Sequence, residues 1–295
     1  MHSSLNSRAI IQLLIVVCLM LLNWGIEAGK WKVAVKIISP VSFNNSLKAV
    51  FAGNTMAFFT PNRTGEYLGR MLYLKKQEMM LSVPLNIICS TAQLIVTCFT
   101  GCVGLVFLKA GISAHKSLGA VMPSLNIMLY VAGGVSILLT IFYFRVPFAI
   151  NWMRRWKWTH KLSTHVRVLD DVNATMLLYI LSLSLARYTV FIVQYYLMFS
   201  VFGVNINWWQ AFWAVSVVFL VIAVIPSVGF LSELAIRWQA GIQLVQLYSS
   251  NITGIFATSP AIWIINLVIP ALIGGLLILG LKFLYINDEP IRPAL

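Results

Sequence analysis

Acidic side chains are scarce in this chain: 8 Asp and Glu face 21 Lys and Arg among 295 residues, and charged residues of every kind make up 10%. A soluble domain carries roughly 25% charge. With a hydrophobic fraction of 60% and a mean hydropathy of +0.87, the deficit excludes an ordinary soluble domain and defines an integral membrane protein. Cysteine is rarer still, and Cys18, Cys89, Cys98 and Cys102 all fall in apolar runs, which argues against a disulfide framework or a zinc site. No Walker-type glycine loop occurs, so nucleotide hydrolysis by the chain itself is not expected. His2, His115, His160 and His165 lie in polar stretches with no paired carboxylate and no metal-ligand spacing, and no cofactor is expected. Ser227 and Ser232 flank a helix break, but no histidine is placed to activate them, so an enzyme is a minority reading.

What the chain does have is positive charge, +13 in net terms. The basic residues sit mainly in loops between apolar runs, where orientation in a membrane puts them, and nucleic acid is excluded as a partner on that ground. The apolar runs predict full spans at about 9–26, 79–108, 121–144, 172–202 and 260–282. Residues 27 to 48, with Glu27, Lys30, Lys32, Lys36, Lys48 and Trp31, read as an amphipathic connector at the interface. Arg154, Arg155, Lys157 and Lys161 make 145–167 the main basic loop, expected on the cytoplasmic side.

Two segments break the apolar pattern. In Thr60-Pro-Asn-Arg-Thr-Gly-Glu-Tyr-Leu-Gly-Arg70, a helix too short to span meets Pro61 and resumes with Glu66 four residues before Arg70. In Ile225-Pro-Ser-Val-Gly-Phe-Leu-Ser-Glu-Leu-Ala-Ile-Arg237, the same order recurs with Pro226, Gly229, Glu233 and Arg237. Glutamate four positions ahead of arginine favours an ion pair on one helix face. Irregular backbone is tolerated at membrane depth only inside protein or beside a cavity. Paired broken segments in two halves point to a transporter-like binding site. The expected fold is therefore all-α and polytopic, with about five full spans and two re-entrant pairs. Residues 9–108 form one unit, 121–144 a linking span, and 172–282 a second unit in an inverted repeat.

Arg187 stands near the middle of the fourth span, where an arginine costs about 2.5 to 3.5 kcal/mol on insertion scales and needs a counter-charge or a wet cavity. Its expected partner is Glu66 or Glu233 rather than Asp170 or Asp171, which lie near the interface. Its task is expected to be charge rather than geometry. Pro61, Asn62, Arg63 and Gly65 mark the first break, and Arg63, with amides freed by the turn and a following helix N-terminus, is expected to hold phosphate. The candidate substrate-binding residues are thus Pro61, Asn62, Arg63, Gly65, Glu66, Arg70, Arg187, Pro226, Gly229, Glu233 and Arg237. The bland alternative is that the four ionic residues at 66, 70, 233 and 237 neutralise one another and hold the hairpins in place.

The first break, together with Asn23-Trp24, Glu27, Lys30-Trp31, Arg187-Tyr188, Gln194-Tyr195 and Pro226-Ser-Val-Gly229 with Glu233, resembles the transmembrane domain of bacterial lysylphosphatidylglycerol synthases and their stand-alone flippase-like relatives. The likeness covers about residues 20 to 282 and is most specific in the first break. The second departs from the family pattern, which has more glycines and a tighter spacing from proline to glutamate. The resemblance implies translocation of a phospholipid or lipid-linked headgroup between leaflets of a bacterial inner membrane, without the separate domain that makes the lipid. It also implies that a span found at the start of many relatives is missing here. Membrane phospholipid is the expected partner, and an envelope-biosynthesis enzyme or a second copy of the chain are the protein partners to consider. The alternative function is a non-transporting accessory subunit of an envelope lipid or glycan pathway.

The loop charges fix an expected topology. If both broken pairs return to the side they leave, Lys75 and Lys161 face the cytoplasm while Asn205 and Asn251 face the other side. Single cysteines at these positions on a cysteine-free background, labelled from outside, check it. Opposite accessibility at 205 and 251 is the result that removes the repeat scheme.

Overall fold

The computed structural model describes residues 7–113, 122–145, 167–226 and 230–287, and every regular element among them is helical. Ten α-helices run in order: α1 (Ser7–Val35), α2 (Phe43–Phe59), α3 (Glu66–Met71), α4 (Ser82–Ser113), α5 (Met122–Phe144), α6 (Ala174–Val201), α7 (Trp208–Val224), α8 (Phe230–Val245), α9 (Ile252–Trp263) and α10 (Ile269–Asn287). A turn at Pro61–Arg63 joins α2 to α3, and one π turn, Ile264–Val268, joins α9 to α10. Five stretches are long and apolar enough to cross a bilayer, namely Ser7–Val35, Ser82–Ala110, Leu125–Phe144, Ala174–Val201 and Ile252–Leu281. These are the five expected spans, and the protein is an all-α, multi-pass membrane protein. The basic side chains of the loop after Arg145, the remainder of the 109–120 loop beyond Ser113, and Gly229 lie outside the described residues.

Helix ends in this setting need their orphan amides satisfied by the chain itself. Ser42 caps α2 by accepting from Asn45 N–H, and Asn173 caps α6 by accepting from Met176 N–H at 2.8 Å. Asn207 and Gln210 form a reciprocal capping box on α7. Asn251 caps α9 through Gly254 N–H, and its Nδ2 donates to the carbonyls of Phe202 and Gly203. That clasp puts the loop after α6 and the loop before α9 together.

Two boundaries differ from the sequence expectation. The first span does not stop at residue 26: α1 continues to Val35, and Glu27, Ala28, Lys30, Trp31, Ala34 and Val35 are buried in it. Of the residues read as an interfacial connector, Glu27 and Lys30 face protein, where Arg70 and Arg187 of other helices supply counter-charges to Glu27, while Lys32 and Lys36 are exposed. The last span does not begin at residue 260, and the expected outside loop 249–259 shrinks to three residues, since α9 starts at Ile252. Pro260 sits inside α9 and cannot donate to the carbonyl of Phe256. That carbonyl instead accepts from the Trp238 indole at 2.9 Å, which replaces the hydrogen bond that the proline removes.

Packing pairs the two halves in a crossed manner. Helix α1 lies along α6; α2 packs against α10, and α7 packs against α4. The contacts of α2 with α10 and of α4 with α7 pass over a glycine. A Cβ on Gly274 would come within 2.1 Å of the Phe51 carbonyl oxygen, and one on Gly101 within 2.6 Å of Leu220 Cβ. Helix α3 folds back on α2 just as closely, with Gly69 placed so that a Cβ would stand 2.3 Å from the Ala52 oxygen. Helix α5 is the outlier, packing mainly on α4 and presenting Ile127, Tyr130, Leu138 and Phe142 outward.

The crossing at α2 and α10 predicts that Gly274→Ala lowers stability by about 1 to 3 kcal/mol, as overpacking against backbone does. Gly133→Ala, where nothing lies within 4 Å, serves as the control and should leave stability unchanged or slightly raised. Thermal unfolding of the two variants in detergent measures the difference.

Candidate functional site

The site is assembled around a carboxylate in the first span. Asn23, Glu27 and Lys30 are spaced by four and three residues, so they share one face of α1. That face turns toward α3 and α6. Glu27 is 3% exposed and holds three cations: its Oε1 accepts from Arg70 Nη2 at 2.7 Å, and its Oε2 accepts from Lys30 Nζ at 2.7 Å and Arg187 Nη1 at 2.9 Å. Arg70 also pairs with Glu66, one turn earlier on α3, and lies over the Trp31 ring. Arg187 donates through Nε to Asn23 Oδ1 at 2.7 Å and sits 5.4 Å from the Trp24 ring and 5.5 Å from Phe191. Two nitrogens of its fork, set at fixed angles, have partners on α1, so Arg187 supplies geometry as well as charge. The expected partner, Glu66 or Glu233, is replaced by Glu27.

The second break forms a smaller counterpart. Arg237 Nη2 donates to Glu233 Oε1 at 2.8 Å, the expected pair one turn apart, and Arg237 Nη1 donates to the Tyr195 hydroxyl at 3.1 Å. Arg63 joins the two networks. Its Nη2 donates to Asn54 Oδ1 at 3.2 Å, and its Nη1 lies 3.8 Å from Glu233 Oε2, an ionic contact beyond hydrogen-bond length. Asn54 in turn donates to the Leu267 carbonyl in the π turn, tying the first hairpin to the last span at 3.1 Å.

The backbone of the first break engages three of its own amides, those of Arg63, Thr64 and Gly65. Asn62 and Arg63 take left-handed φ values of 53° and 58°. Arg63 N–H donates to the Thr60 carbonyl, Thr64 N–H to the Pro61 carbonyl, and Gly65 N–H to Thr60 Oγ1 at 2.7 Å. Helix α3 is 6 residues long, too brief for a substantial dipole. The turn therefore aims the Arg63 side chain rather than offering a nest of N–H groups. Gly65 is needed for the turn itself, since a Cβ there would lie 2.4 Å from the Met56 oxygen.

Between these networks lies a cavity of about 480 Å³. Of the sequence-derived candidates, Asn62, Arg63, Glu66, Arg70, Arg187, Glu233 and Arg237 line it; Pro61 and Gly65 shape the first turn behind it, and Pro226 is exposed at the start of the second break. Glu27, Lys30 and Asn54 also line it, although sequence reasoning left them out of the site. The signal for Glu27 and Lys30 was the shared face with Asn23, which belongs to the span proper and would have no reason to align with an interfacial connector. Among the described residues no three His, Cys, Asp or Glu side chains gather as metal ligands would.

Fold and site together define a multi-pass membrane protein with a charged cavity walled by two interrupted helix pairs. The family model described as lysylphosphatidylglycerol synthase TM region matches residues 3–232, and the chain belongs to that family, which ties it to lipid handling. The match ends one residue before Glu233. No match was found among curated proteins or among solved structures.

Glu27 should be the carboxylate on which stability depends most. Glu27→Gln leaves three buried cations facing one another and is expected to cost about 3 to 5 kcal/mol, the range for stranding one side of a buried pair. Glu66→Gln should cost clearly less, because Arg70 retains Glu27. Melting temperatures of both variants in detergent, read against the parent chain, give the order; equal losses would show that the charge is shared evenly.

Proposed function

We propose that the protein moves a phospholipid or lipid-linked headgroup between the leaflets of a bacterial inner membrane, in the manner of a flippase, and that it does so without catalysing a covalent reaction. The observation that carries this reading is the cavity of about 480 Å³, which is lined by cations and carboxylates where helices break in pairs. Such a volume falls in the usual range for a bound small group. A charged headgroup crossing the bilayer core must exchange its water for polar contacts, and this wall supplies them. The acyl chains would stay in lipid beside the outward-facing apolar side chains. The two units work as an inverted repeat in this scheme, with the cavity at their junction.

Arg63 is the cation to test, being 34% exposed at its side chain and held by a single hydrogen bond to Asn54 together with the longer contact to Glu233. Arg63→Lys preserves the charge and loses the planar fork that grips phosphate in bidentate fashion. In liposomes carrying a phospholipid whose label can be quenched from one leaflet only, the parent chain should accelerate exchange. Arg63→Lys should slow it by about tenfold, equivalent to roughly 1.4 kcal/mol, with little change in melting temperature. No acceleration by the parent chain, in liposomes of several headgroup compositions, removes the transport reading.

A further inference from the structure

The balance of charge in the cavity is uneven. Among the described residues its wall carries five cations and three carboxylates, a net charge of +2. Each of the carboxylates already accepts from at least one guanidinium or ammonium group. The same surplus appears in the hydrogen bonds. Buried polar atoms on the wall that lack a partner comprise four donors, Arg70 Nε and Nη1, Arg237 Nε and Trp24 Nε1, against two neutral acceptors, Gln93 Oε1 and Asn266 Oδ1. Charged donors left without acceptors in a poorly solvated place are costly, and an anion held on the accessible arginines offsets the surplus positive charge of the wall. A cationic substituent would instead have to draw a carboxylate away from the cation that holds it.

Resting on the transport reading above, we propose that the cavity selects a headgroup whose net charge is negative, a phosphate bearing an uncharged substituent, and discriminates against a headgroup whose amines outweigh its phosphate. Arg63 and Arg187 receive the phosphate. They are the partly accessible arginines of the wall, 34% and 14% exposed at the side chain, while Arg70 and Arg237 are held at 2% and 9%. The long contact between Arg63 and Glu233 is the one the phosphate loosens, since a bidentate oxyanion at hydrogen-bond distance outcompetes a carboxylate 3.8 Å away.

The test is binding of defined lipids to the full-length chain in detergent, followed by competition and then by leaflet exchange in liposomes. Phosphatidylglycerol, with a headgroup charge of −1, should bind at least about tenfold more tightly than lysylphosphatidylglycerol, whose two amines make the headgroup +1. Arg63→Gln, which lowers the wall to +1, should weaken phosphatidylglycerol by about tenfold while lysylphosphatidylglycerol changes little. If that variant fails to fold, the comparison of the two lipids on the parent chain still decides. Equal binding of both lipids, or preference for the lysylated one, overturns the inference. So does inorganic phosphate that competes as strongly, mole for mole, as phosphatidylglycerol, because the ligand would then be a soluble anion. Preference for phosphatidylglycerol without leaflet exchange leaves the inference standing and removes transport; exchange of both lipids at one rate does the reverse.

Discussion

A single buried carboxylate organises the interior. Glu27 draws Lys30 from its own helix, Arg70 from α3 and Arg187 from α6, each at 2.7 to 2.9 Å. Three cations so close repel one another strongly in a medium of low dielectric, and the carboxylate converts that repulsion into convergence. The aromatic rings of Trp24, Trp31 and Phe191 lie at 5.1 to 5.5 Å and add cation–π attraction without adding charge. This requirement explains why α1 runs nine residues past its uncharged core. The helix has to carry Glu27 and Lys30 into the protein, and it stays regular while doing so because neighbouring helices supply Arg70 and Arg187 to Glu27 and Glu27 itself pairs with Lys30.

The two helix breaks serve that centre in different ways. In the first, a tight turn with two left-handed residues consumes its own amide donors and projects one side chain, Arg63, into the space. In the second, α8 carries Glu233 and Arg237 as a pair one turn apart, with Tyr195 of α6 as a third member. Arg63 to Glu233, at 3.8 Å, is the longest of these ionic contacts and the one that spans the two breaks. The tight pairs lie within each network, and the long contact lies between them.

Much of this was legible in the chain before any coordinates. The five spans, both broken segments, and the pairing of glutamate with arginine one turn later followed from apolar run length, proline, glycine and charge spacing. So did the placing of Arg187 near the middle of its span. What could not be read was the partner of Arg187, because Glu27 lies 160 residues away and only packing joins them. The 18 uncharged residues before Glu27 already suffice for a span, so length alone stopped α1 too early. The late start assigned to the final span has a similar origin. Pro260 looks like a boundary, and the indole that donates to the freed carbonyl comes from Trp238, on a different helix. Tertiary partners overruled local signals in both places.

The crossed packing also decides what folds with what. Helix α2 rests on α10 and α7 rests on α4, each through a glycine that lets backbone meet neighbour, so either half of the sequence finds part of its burial in the other. Neither half is complete when it leaves the ribosome. The first hairpin must wait for the last span before Asn54 can reach the Leu267 carbonyl, and until then its polar groups sit in the membrane without that partner. The first hairpin and α10 therefore complete each other's burial, and neither is fully satisfied without the other.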